Sequence, residues 1–183
     1  MDLVALFAGD PGRSLAIPGH GTVTRVWGRA PAVAALTRIA LPARLFAGAE
    51  IVAIGSQTTG AVVQGHDSMQ VANWNVATIG LFGREILHRS YALDVLGGLG
   101  SVREHFDINY VDRTAYEPPS GHWQERATHL AFEAGAHLRR SVSPSTDLSV
   151  SGRVIIVRRG PQFRYLQFSP AIYTLGCGFG FRL

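Results

Sequence analysis

From His129 to Arg159 the chain alternates apolar and polar residues almost without a break, and no other stretch restricts the fold so strongly. Leu130, Phe132, Ala134, Ala136 and Leu138 share one parity, while His129, Glu133, His137 and Arg139 share the other. A period of two is the pleat of a β-strand, in which successive side chains leave opposite faces. Ser143-Pro-Ser-Thr146 carries turn chemistry, and a second arm sets Leu148, Val150, Val154 and Ile156 against Ser149, Ser151 and Arg153. Arms of about a dozen residues exceed the ~5–6 usual in soluble sheets and suffice for the ~9–11 of a tilted membrane-crossing strand. The apolar faces look either into a core or out into lipid.

The same alternation recurs along the chain. Residues 1–9 form a short extended segment, followed by turn signals at Asp10-Pro-Gly and Ile17-Pro-Gly-His-Gly21. From Thr22 to Thr37, Val26, Ala30, Ala32, Ala34 and Leu36 fall on one parity, with Arg25, Arg29 and Thr37 on the other. Pro31 weakens a central strand there, and a helix over Val33–Ile39 is the local alternative because alanines favour it. Residues 44–55 place Leu45, Ala47, Ala49, Ile51 and Ala53 opposite Glu50. Gln70–Ile86 places Ala72, Trp74, Val76, Thr78 and Phe82 opposite Asn73, Asn75 and Glu85. Tyr91, Leu93, Val95 and Leu99 alternate with Asp94, Gly98 and Gly100, and a last segment runs from Phe163 to Leu183. Residues 56–69 and 107–126 read as long loops, whereas Leu41-Pro-Ala43, Leu87-His-Arg-Ser90 and Ser143–Thr146 read as short connections. Eight extended segments with connections alternating long and short describe an antiparallel meander, closed as a barrel over residues 1–183 as a single domain.

Composition narrows the partners. Of 17 basic residues none is lysine, so the net charge of +4 is carried by arginine, whose planar fork grips phosphate; a GC-rich codon bias explains the choice equally well. One cysteine, Cys177, excludes an intrachain disulfide and a cysteine-based metal site. Arginines at 25, 29, 38 and 44, with Glu50, interrupt the most apolar region before it reaches the ~18–20 residues of a membrane-spanning helix. The N-terminus lacks a basic region and a long apolar run. Location in an outer membrane therefore requires a mature form whose signal peptide has been removed; a cytosolic protein is the alternative.

One parity of nearly every segment is free of charge, and the other is sparse in charge and rich in glycine, including Gly98, Gly100, Gly135, Gly176, Gly178 and Gly180. Small residues and mixed-sign pairs suit the crowded interior of an eight-stranded barrel. Aromatics toward segment ends (Trp74, Phe82, Tyr91, Phe132, Phe163, Tyr165, Phe179 and Phe181) suit girdles at lipid interfaces. The ending Tyr173-x-x-Gly-x-Gly-Phe-Gly-Phe-Arg-Leu183 resembles the closing strand of bacterial outer-membrane β-barrel proteins, with leucine in place of the usual final phenylalanine. Read whole, the chain resembles the small OmpA/OmpX/OmpW-type barrels. That resemblance implies an all-β, eight-stranded antiparallel up-and-down transmembrane barrel in a bacterial outer membrane. It also implies membrane lipid or lipopolysaccharide as partner, and a ligand at extracellular loops. A soluble lipocalin-like barrel with an apolar ligand inside is the second reading.

Three groups of residues carry candidate chemistry. His88-x-Ser90 resembles the His-x-Ser element of outer-membrane lipid A deacylases, with Glu104 as the carboxylate of a triad, although Tyr91 stands where that family has asparagine. Those residues equally suit an ordinary turn, and the balance favours a non-enzymatic barrel. His129, Glu133 and His137 share a face, but four-residue steps along a strand separate side chains by ~13 Å, too far for one metal ion. They read instead as part of a buried polar network with Arg25, Arg29, Glu50, Glu85, Asp94, Arg139 and Arg153, in which each charge needs a partner. His66, His105 and His122 read as solvated. No cofactor motif or zinc spacing is present, and no nucleic acid is expected as partner: Arg158-Arg159 near Phe163-Arg-Tyr165 is a small candidate cluster that equally suits lipid headgroup phosphates or no partner.

Overall fold

The computed structural model describes residues 2–10, 14–17, 21–24, 28–63, 67–111, 120–158 and 171–181. Strands follow one another as β1 (Asp2–Asp10), β2 (Ser14–Ile17), β3 (Gly21–Thr24), β4 (Gly28–Leu41), β5 (Leu45–Val63) and β6 (Asp67–His88). Then come β7 (Tyr91–Val111), β8 (Ser120–Ser143), β9 (Thr146–Arg158) and β10 (Ala171–Phe181). Eight of them close a barrel in the order β1-β10-β9-β8-β7-β6-β5-β4, and β2 and β3 make a separate two-stranded sheet. Every pairing is antiparallel. Closure runs through β1, which pairs with β10 from Asp2↔Gly180 to Gly9↔Tyr173 and with β4 from Asp2↔Leu36 to Asp10↔Gly28. A closed ladder leaves no edge with unpaired backbone groups, as lipid requires.

The connections sort by end. Pro42–Arg44, Arg89–Ser90 and Pro144–Ser145 are tight and share the end that also holds Asp2 and Phe181. Ala43, Arg44 and Arg89 take positive φ of 58°, 59° and 54° to make two of these reversals. Of the connections at the other end, 64–66 is equally short, whereas 11–27, 112–119 and 159–170 are longer. This asymmetry matches the short periplasmic turns and long outer connections of membrane barrels.

Three expectations change. The described parts of segments 56–69 and 107–126 are strand: β5 continues to Val63, β6 starts at Asp67, β7 reaches Val111 and β8 starts at Ser120. The ladder holds through them, with Val63↔Asp67, Ser68↔Val111 and Val111↔Ser120 in register. A strand whose residues show no apolar parity imitates a loop in sequence. Second, β4 is a strand through Pro31, not a helix over 33–39, and it is turned over relative to the expected parity. Ala30, Ala34 and Leu36 are buried while Val33 and Ile39 are exposed. Alanine occupies both parities of this strand, so the pattern carries no contrast; Arg38 supplies its interior charge. Third, β2 lies between the turn signals, and the start of the expected Thr22–Thr37 segment is a separate strand, β3, that pairs with β2 outside the barrel order.

Glycines let the interior close. A Cβ added at Gly100 would lie 2.0 Å from the Thr78 carbonyl oxygen, and one at Gly48 would lie 2.2 Å from that of Thr37, so neighbouring backbones approach where no side chain fits.

Candidate functional site

Alternation places the described side chains on two surfaces of opposite character. Outside, Leu130, Phe132 and Leu138 of β8, Leu148, Val150 and Ile156 of β9, and Tyr173, Leu175, Phe179 and Phe181 of β10 are all exposed. Inside, Glu50, Asp94, Glu104, Glu133, His137, Arg139 and Arg153 are buried. A soluble barrel arranges these the other way, so the lipocalin-like reading is not supported.

The outer apolar runs have a common length. Leu130–Leu138, Leu148–Ile156, Tyr173–Phe181 and Trp74–Phe82 each cover eight residue steps. At ~3.4 Å per step and a tilt of ~40° this is roughly 21 Å, close to the ~25 Å apolar band of a membrane barrel. Exposed arginines bound the belt on both sides. Arg84 and Arg140 lie toward the short turns, with the Arg140 guanidinium 5.7 Å from the centre of the Tyr91 ring. Arg103, Arg126 and Arg158 lie toward the long connections. Aromatic and guanidinium groups at both rims suit headgroups above and below hydrocarbon.

The interior charges form three groups along the barrel. Nearest the short turns, Arg139 donates from Nε to Asp94 at 2.8 Å, from Nη2 to the other Asp94 oxygen at 3.1 Å, and from Nη1 to Asp147 at 3.1 Å. It also donates to Glu85. Arg38 donates to Asp94 at 2.7 Å and lies with its guanidinium 5.6 Å from the Phe46 ring centre, and His137 Nδ1 is 3.8 Å from Asp94. In the middle, Arg153 bonds Glu50 and approaches Glu133 at 3.6 Å; all three side chains are 0% exposed. Toward the long connections, His129 Nε2 is 3.3 Å from Glu104. The forked guanidinium explains the arginine: it satisfies several carboxylate oxygens at once in a space with little room for water to share the charge.

Most of the expected network is brought together: Glu50, Glu85, Asp94, His129, Glu133, His137, Arg139 and Arg153 all line the interior. Arg25 lies outside the described residues, and Arg29 is described only as a β4 backbone position opposite Gly9. His129, Glu133 and His137 reach three different partners at three levels, as their spacing on a strand demands. Sequence reasoning misses Arg38 and Asp147, the first through the turned-over strand and the second because it sits beside a turn. Among the described residues no cluster of three or more His, Cys, Asp or Glu could hold a metal ion.

The suggested triad is not assembled. His88 and Ser90 are exposed at a short turn, where the Ser90 carbonyl accepts a bond from the Ser141 amide at 3.3 Å. Glu104 is buried beside His129, thirteen positions along β7 from Tyr91, on the order of 44 Å of strand. His105 also departs from expectation: it is 8% exposed and stacks on Trp74, with ring centres 3.9 Å apart and planes 11° from parallel. His66, Arg159, Phe163 and Tyr165 lie outside the described residues.

No protein-family model matches the chain, and no curated protein sequence does. Among solved structures, Neisserial surface protein A (NspA) matches with a TM-score of 0.50 at 11% identity, covering 100% of this chain and 97% of that one. A major outer membrane protein from Thermus thermophilus matches with a TM-score of 0.53 at 12% identity, covering 100% of both chains. These are likenesses of fold, and they agree with the two surfaces described above. The chain is an eight-stranded antiparallel up-and-down transmembrane β-barrel of the kind found in bacterial outer membranes.

Proposed function

We propose that this protein sits in a bacterial outer membrane as a filled barrel that does not conduct solutes, and that its role is structural or interactive. The observation that carries this reading is the state of the interior. Leu36, Val52, Ile79, Val102 and Ile155 are fully buried in the same wall as Glu50, Glu104 and His137. An eight-stranded barrel is only wide enough for its own side chains, and here those side chains are locked by bridges through Arg139 and Arg153.

What remains for contact with a partner is the part of the barrel outside the bilayer. Strands β5, β6, β7 and β8 have 19, 22, 21 and 24 residues, about twice the ~9–11 needed to cross. Their excess projects on the side of the long connections, as a paired sheet where the sequence suggests loops. Rigid presentation lowers the entropy cost of binding, so this raised sheet is the surface on which an extracellular ligand would dock. Sugar-loaded liposomes carrying the protein test the filled interior. Their swelling rate in isotonic sugar is expected to equal that of protein-free liposomes, and swelling at a porin-like rate would overturn the proposal.

A further inference from the structure

We propose that Arg103 and Arg126 clamp the phosphate of a lipid headgroup at the rim of the apolar belt facing the long connections. The inference rests on the outer-membrane reading above and adds a specific site to it. Both side chains are exposed on the outer surface. In register, Arg103 faces Thr128 and His105 faces Arg126, so the two arginines are diagonal neighbours on β7 and β8. Diagonal positions are ~7–8 Å apart between backbones, within reach of one phosphate from two sides.

Two cations so close repel unless an anion lies between them. Among the described residues neither arginine is in an ion pair. The half-buried carboxylate further along the same face, Asp107, is engaged by His122 at 2.7 Å and Gln124 at 3.3 Å. Glu104, adjacent in sequence to Arg103, faces the interior beside His129. A groove of about 410 Å³ lies at this place, walled by Trp74, Val76, Arg103, His105, Arg126 and Thr128. The stacked Trp74–His105 pair gives the groove a firm aromatic side of the kind found at headgroup depth.

The occupant follows from what lies on either side. Toward the membrane, past Thr128 and Ser101, come Leu130, Phe132 and Leu99, all exposed and apolar. A molecule that places an anion between the arginines and continues along those residues has a phosphate at one end and acyl chains at the other. Guanidinium forks pair with phosphate by two parallel bonds, which favours an exposed phosphate monoester over a headgroup that caps its phosphate with choline.

The test is native mass spectrometry of the full-length barrel released from bilayers of phosphatidylcholine and phosphatidic acid with identical acyl chains. The parent should retain phosphatidic acid roughly tenfold or more over phosphatidylcholine, the scale set by two interfacial arginines. The doubly substituted protein Arg103→Gln, Arg126→Gln should insert equally well and lose that preference. Millimolar inorganic phosphate should not displace the retained lipid; displacement would make this a general anion site and overturn the lipid assignment. Equal retention of both lipids by an inserted parent, or an unchanged preference in the double variant, would overturn the clamp alone. A parent that failed to insert at all would overturn the barrel reading beneath it.

Discussion

Replacing Arg139 with alanine should destabilise the inserted barrel by about 3–5 kcal/mol, the usual cost of removing one partner from a buried ionic cluster. Arg139 is 4% exposed and joins three carboxylates, those of Asp94, Asp147 and Glu85. Without it, Asp94 and Asp147, at 1% and 3% exposure, remain inside with much of their compensating charge gone. Arg38 keeps its own bridge to Asp94. Urea unfolding in vesicles, followed by tryptophan fluorescence, measures the loss as a drop in midpoint at unchanged slope. A loss below about 1 kcal/mol would mean that the bridges are peripheral to stability. An apolar pair in the same space should recover much of the loss, since buried bridges are often matched by well-packed apolar groups. The double variant Arg139→Met, Asp94→Leu is therefore expected to be more stable than Arg139→Ala.

Placing arginine at Leu99 should cost about 2–4 kcal/mol, the penalty for a cation near the bilayer midplane on the lipid face of a barrel. Leu99 is 55% exposed, and on β7 it lies midway between Val95, opposite Arg84 of the short-turn rim, and Arg103 of the opposite rim. In water an exposed leucine tolerates this change within about 0.5 kcal/mol, so the same unfolding measurement separates the two environments of this surface. A cost near zero would place Leu99 in water. The rim arginines survive because each sits within a side-chain length of headgroups, where the stem lies along apolar surface and the charge stays wet.

Why some of this is legible in sequence and some is not follows from contrast between parities. The hairpin of β8 and β9 is readable because Leu130 to Leu138 and Leu148 to Ile156 meet hydrocarbon, while Glu133, His137, Arg139 and Arg153 meet polar partners inside. Both environments are extreme, so both parities are distinctive. In β4 the contrast vanishes. Val33 and Ile39 face out while Ala30, Ala34 and Leu36 face in, and a small apolar residue is acceptable in lipid and in a crowded interior alike. The projecting ends of β5 to β8 are hidden for a different reason: outside the membrane neither face must be apolar, and the register alone shows that Gln57, Thr58 and Thr59 pair with Asn73, Ala72 and Val71. Pairing of charges across strands is also beyond the sequence. That Glu104 belongs to His129 and not to Ser90 depends on which strands lie side by side and at what height.

Whether the apolar parity faces lipid can be read at the single native cysteine. Cys177 is exposed on β10 at the centre of the outward run Tyr173, Leu175, Cys177, Phe179 and Phe181, opposite Ala5 and Val150. A nitroxide attached to it in the vesicle-inserted protein should collide freely with oxygen, which concentrates in hydrocarbon, and hardly at all with a water-soluble nickel chelate. A label that collides with the chelate and not with oxygen would put this face in water, and the membrane barrel would have to be abandoned.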